Sequence, residues 1–208
     1  MQSTTVRGRA VLGPRQAREP GQPALAVEDE SPDGAPTPSW ALVALGVVAC
    51  AVLAAACWTA SHVHADPPLR TAARFLHLAG LIVGLGAVLA VDWFALLWLL
   101  GRRRLSDALQ TACALQTPIW LGLGGLVLSG LFLRPDLSSP LTLVKLGLVL
   151  AVMLNGLYAH WLGQRLRLVQ EHPAGVPRRL LMQTGIAATI SQGGWWGAGV
   201  IGFLNSHP

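Results

Sequence analysis

Apolar residues in this chain come in long, nearly unbroken runs. After a polar opening stretch, five runs predict helices over about residues 41–60, 71–100, 108–133, 141–162 and 180–204. Runs of ~20 apolar residues are long enough to cross the hydrocarbon core of a bilayer. Short polar segments connect them: SHVHADPPLR, GRRRLSD, RPDLSSP and GQRLRLVQEHPAGVPRR. The pattern predicts an all-α fold, a polytopic membrane bundle of five transmembrane helices. The first run is rich in Ala and Val, with one glycine and no ionisable group. It reads as a peripheral helix (residues 40–60) added to a four-helix membrane domain over residues 71–204. Small residues punctuate that domain: Gly80, Gly84 and Gly86, then Gly122, Gly125 and Ser129, then Gly193, Gly194, Gly197, Ala198 and Gly202. Such residues let helix backbones approach closely in lipid. Pro118 removes a helix hydrogen bond and is expected to kink or weaken the third span.

Composition agrees. The chain is 52% hydrophobic and 12% charged, against about 25% charged in soluble domains. Residues 1–39 have no apolar face and are rich in Pro, Gly, Ser and Ala. They read as a disordered cytoplasmic tail and not as a signal peptide. The net charge of +5 does not point to nucleic acid, because the cations gather in short loops. Arg102, Arg103 and Arg104 follow the second span; Arg165, Arg167, Arg178 and Arg179 follow the fourth. Positive-inside bias places these loops in the cytoplasm, with the N-terminus inside and the C-terminus outside. The bilayer is the expected partner. Cys50, Cys57 and Cys113 form no CxxC and read as small hydrophobes, with a soft-metal role for Cys50 and Cys57 the less favoured reading.

Polar residues inside the spans carry the candidate chemistry, because a charge at the centre of a spanning helix costs about 2.5–3.5 kcal/mol even on insertion scales. Lys145 is the only lysine in the chain. It and His160 share the fourth span, fifteen residues apart; His77 and Asp92 share the second at the same spacing. Fifteen residues leave two side chains about 60° apart and ~22 Å along a helix. Two polar tiers follow: His77 with Lys145, and Asp92 with His160. Lys145 can serve as a base, neutralise a carboxylate such as a haem propionate, or snorkel to the surface. Asp92 and His160 form either a packing pair or a proton relay. His77 precedes Gly80 and Gly84 on one face, as H-x2-G-x3-G. It either binds a flat cofactor such as haem against a small-residue groove or bonds a neighbouring helix. Trp195 and Trp196 stack on a flat ligand or anchor the interface. No GxSxG, HExxH, P-loop or paired carboxylate points to hydrolysis.

The stretches FLHLAGLIVGLGAVLAVDWFALLWL and PLTLVKLGLVLAVMLNGLYAHWL resemble the copper-resistance CopD and HemJ-type protoporphyrinogen oxidase membrane families. Leu76-His77 and Val144-Lys145-Leu146 carry the likeness, which covers about residues 71–204. It implies a helical bundle in the bacterial plasma membrane with haem b. It also implies an oxidoreductase acting on a porphyrinogen, with His77 as metal ligand and Lys145 as catalytic residue; on the residue reading above, Gly80, Gly84 and Trp195 would border the cofactor. Two other readings stand beside it. One is a CopD-type copper protein using His62 and His64, although Met153 and Met182 are the only methionines after Met1. The other is a non-catalytic membrane subunit packing through its glycines. A homo-oligomer or a membrane redox partner fits any of these.

Overall fold

Helix starts follow the prolines and short polar connections. The computed structural model describes residues 38–170 and 176–205, and the tail expected to be disordered lies, up to residue 37, outside them. Helix α1 spans Ser39–His62, α2 Pro67–Leu99, α3 Leu105–Gly130, α4 Pro140–Gln170 and α5 Arg178–Leu204. A short 3-10 turn, Leu131–Leu133, extends α3. Pro67 and Pro140 open α2 and α4, where a missing N–H costs nothing. At the head of α3 the Asp107 carboxylate accepts from the Arg104 backbone N–H at 3.4 Å. No strand occurs among the described residues.

The helices outrun the apolar segments that predict them. Helix α4 continues from 162 to 170 through Gln164, Arg165 and Arg167, residues that favour helix although they are polar. Helix α3 runs through Pro118 unbroken. Four helices, α1 to α4, are long and apolar enough to cross a membrane. Helix α5 is long enough, but Gln192, Ser191 and its many glycines dilute its apolar character. Large apolar side chains such as Val43, Phe75, Ile82, Leu121 and Ile186 point outward, the inverse of a soluble core.

Packing proceeds by hairpins. The α2/α3 pair is the tightest, α4 pairs with α5, and α1 lies mainly along α4. The glycines explain the first pair. A Cβ on Gly122 would lie 2.6 Å from the Gly84 Cα and 2.7 Å from the Gly80 carbonyl oxygen, so only glycine permits the crossing. In the second pair Gly194 lies against Val152, and Gly197 against Leu148. All five helices meet in one core of Ala49, Val88, Leu123, Val152, Met153 and Trp195. Through Ala49, α1 takes part in that core, although only Ala49, Leu53 and Ala60 along it are buried.

Candidate functional site

A cavity of about 1010 Å³ opens between the helices at the end of the bundle that carries the α1–α2 and α3–α4 connections. Its walls are mostly apolar, with Leu81, Leu126, Val149, Val152 and Trp195 among them. Arg74, His77, Arg134, Asp136 and Lys145 line it as well. Helices α2 and α4 do not pack against each other. His77 and Lys145 therefore face the same space from separate helices, and the lysine is near enough for its charge to act on the imidazole.

His77 is tied to α3. Its Nδ1 lies 2.9 Å from the Ser129 hydroxyl oxygen. Ser129 is completely buried, and its hydroxyl donates to the Gly125 carbonyl, with the Leu126 carbonyl at 3.3 Å. The antiparallel α2/α3 crossing accounts for the meeting. His77 stands seven residues before Gly84, and Ser129 seven residues after Gly122. Seven residues are about two turns, so the contact of one glycine with the other puts the two polar groups level.

Lys145 is half-buried, and no carboxylate reaches it, Arg74 or Arg134 within ion-pair distance among the described residues, where the one ion pair joins Arg103 and Asp107 at 4.0 Å. Three cations against one carboxylate, Asp136, leave the cavity positive. Arg134 also sits at φ 49°, in the left-handed region that non-glycine residues rarely adopt. Asp136, in the same connection, is held by Ser138. The Ser138 hydroxyl donates at 2.6 Å and its backbone N–H at 3.0 Å, which lowers the carboxyl pKa below its ordinary value.

Several expected neighbours lie elsewhere. Gly80 and Gly84, expected to border a flat cofactor, are spent on packing: Gly80 faces the α3 backbone, and Gly84 faces both Gly122 and the Trp195 indole. Asp92 does not meet His160. It accepts from the Gln192 side-chain amide of α5, whose Oε1 in turn accepts from Trp196 Nε1 at 2.9 Å. His160 is exposed, and its Nε2 lies 3.1 Å from the Gln164 amide nitrogen. Equal depth sets the level of two groups and says nothing of the direction each faces; with α2 and α4 apart, Asp92 reaches α5 instead. Trp195 is 3% exposed, belongs to the core and lines the cavity, and its indole N–H has no partner among the described residues. Trp196 is exposed.

The copper candidates His62 and His64 lie together where α1 ends, with His64 Nδ1 3.3 Å from the His62 carbonyl oxygen. The His62 ring lies tilted against Trp58, centroids 4.5 Å apart, and its Nδ1 lies 2.8 Å from the Trp58 carbonyl; Cys50 and Cys113 are exposed. Among the described residues no group of three or more His, Cys, Asp or Glu side chains comes together to hold a metal ion. Ser129, Arg74 and Arg134 are site residues that the sequence reading did not single out. Ser129 looks like one more small residue on a Gly-x2-Gly-x3-Ser face, and the arginines look like topology markers. No family model, curated protein or solved structure matches the chain.

Proposed function

We propose that this is an integral membrane haem protein with a redox role, in which His77 ligates haem b inside the cavity. One observation carries the reading: a histidine and three cations without carboxylate partners line a single, mostly apolar space. Haem b is a flat apolar macrocycle with two carboxylates, and the residues present fit it. The imidazole supplies an axial nitrogen, Leu81, Leu126, Val149 and Trp195 supply apolar walls, and Lys145, Arg74 and Arg134 supply positive charge for the propionates. Bound haem supplies one-electron chemistry. The chain's own part is to ligate the iron, exclude water from the apolar walls and hold the carboxylates. Porphyrinogen oxidation is the candidate reaction, with Lys145 as the group that binds or deprotonates an acidic substrate at the cavity.

The membrane arrangement belongs to the same proposal. All five helices span, the N-terminus lies in the cytoplasm, and the cavity opens toward the outer face of a bacterial plasma membrane. Four helices are apolar enough on their own. The fifth crosses with its polar groups turned inward, as Gln192 does toward Asp92.

A copper-handling role is less well supported, because among the described residues His62 and His64 gain no third His, Cys, Asp or Glu partner. The test is an absorption spectrum of detergent-purified protein from haem-replete cells. A Soret band that disappears in His77→Ala supports the proposal; a colourless protein, or a Soret band unchanged in His77→Ala, overturns it.

A further inference from the structure

We infer that Ser129 is a positioning residue that sets which nitrogen of His77 carries the proton. The assignment follows from counting hydrogens. A serine hydroxyl has one hydrogen and two lone pairs. Ser129 is wholly buried, and its oxygen has three polar neighbours: the Gly125 carbonyl, the Leu126 carbonyl at 3.3 Å and His77 Nδ1 at 2.9 Å. The nearest of the three, the Gly125 carbonyl, takes the one hydrogen. The hydroxyl therefore offers His77 a lone pair, and Nδ1 must bring the hydrogen.

Neutral His77 is thus protonated at Nδ1 and carries its lone pair on Nε2. The opposite tautomer would need the hydroxyl to turn away from the Gly125 carbonyl, its nearest acceptor, and donate to Nδ1 instead. With Nδ1 turned to α3, Nε2 is the nitrogen left for the cavity that His77 lines. Metal-ligating histidines are held in this way, by a partner on the other nitrogen that fixes tautomer and ring orientation.

The rest of α2 and α3 supports the role. The Gly84–Gly122 contact leaves no room to slide the two helices, so the His77–Ser129 distance is set by backbone packing. Among the described residues no charged side chain hydrogen-bonds Nδ1; Lys145 lines the same cavity from α4.

The tautomer does not depend on haem, whereas its consequence for ligation rests on the haem reading above. The full-length apoprotein, labelled with ¹⁵N-histidine in detergent micelles, tests the first part. The His77 signals are assigned by their loss in His77→Ala. At a pH where the ring is neutral, Nδ1 is expected to show the protonated, pyrrole-type shift and Nε2 the unprotonated, pyridine-type shift. Ser129→Ala is expected to move both toward the mixture of an unconstrained imidazole, and Ser129→Thr, which keeps the hydroxyl, to retain the original pattern. A wild-type ring protonated at Nε2 overturns the inference, and so does a pattern that Ser129→Ala leaves unchanged. Haemin titration tests the second part: Ser129→Ala is expected to weaken binding 10- to 100-fold and raise the midpoint potential, with Ser129→Thr near wild type. Wild-type affinity and potential in Ser129→Ala overturn the ligation role. Loss of the haem reading itself is seen separately, as a Soret band that survives His77→Ala.

Discussion

Gly122 of α3 rests on Gly84 of α2 so closely that a single added methyl group would fall 2.6 Å from the opposing Cα. The contact is backbone on backbone, with no flexible side chain to give way. Gly122→Ala should therefore push α2 and α3 apart and destabilise the bundle by about 1–3 kcal/mol, as overpacking does. His77 and Ser129 should separate with them, so haem binding should weaken as well. Gly124, with open space around its Cα, is the control: Gly124→Ala should leave thermal unfolding in detergent within about 0.5 kcal/mol. Equal melting of the two variants would contradict this packing.

Asp92 and Gln192 should behave as a coupled pair. Gln192→Leu strands a half-buried carboxylate and should cost about 1–3 kcal/mol. Asp92→Asn keeps a hydrogen-bonding partner and should cost less. A double-mutant cycle between positions 92 and 192 should give a coupling of at least ~0.5 kcal/mol, while one between 92 and 160 should be additive within ~0.5 kcal/mol. Coupling to His160 in its place would return Asp92 to the partner its depth suggests.

Lys145 offers the only lysine side chain to an amine-selective reagent. Saturating haemin should slow its modification, measured by mass spectrometry of the labelled peptide. Lys145→Met should weaken haemin binding while leaving the Soret band in place if, as proposed, the lysine holds a carboxylate and not the iron. Unchanged labelling with and without haemin would separate Lys145 from the haem site.

Arg134 pays for its place with backbone strain, of order 1–2 kcal/mol for a left-handed L-residue. Arg134→Gly removes both strain and charge. Thermal stability should stay level or rise, and haemin affinity should fall. A variant that loses stability would show that the arginine is held by contacts worth more than the strain.

The Asp136–Ser138 turn carries a small pH signature. The folded carboxyl titrates below its unfolded value, so its contribution is complete above the unfolded pKa and is lost as pH falls through the folded one. Order in this exposed turn, followed by the backbone NMR signal of Ser138, should fade only under acid conditions, and Asp136→Asn should remove that dependence.

The membrane character and the number of helices were legible along the chain, because length and apolarity act within each segment. The single lysine and the histidine in α2 also stood out, because any polar group in an apolar run does, and both line the cavity. Depth was legible too: a rise of 1.5 Å per residue puts His77 and Lys145 at one end of the bundle and Asp92 at the other. Partners were not, because direction around a helix axis depends on which helices touch. Gly80 and Gly84 follow the same pattern whether they border a cofactor or a helix, and the close fit of α3 decides for the helix. Asp92 found Gln192 because α2 lies against α5, and His160 stayed exposed because α4 turns it outward. Ser129 reads as one more small residue until antiparallel packing sets it level with His77, where its single hydrogen decides the state of the ring. Sequence alone determined what each helix carries and how deep; tertiary packing decided what each polar group faces, because azimuth is set by contacts between helices far apart in the chain.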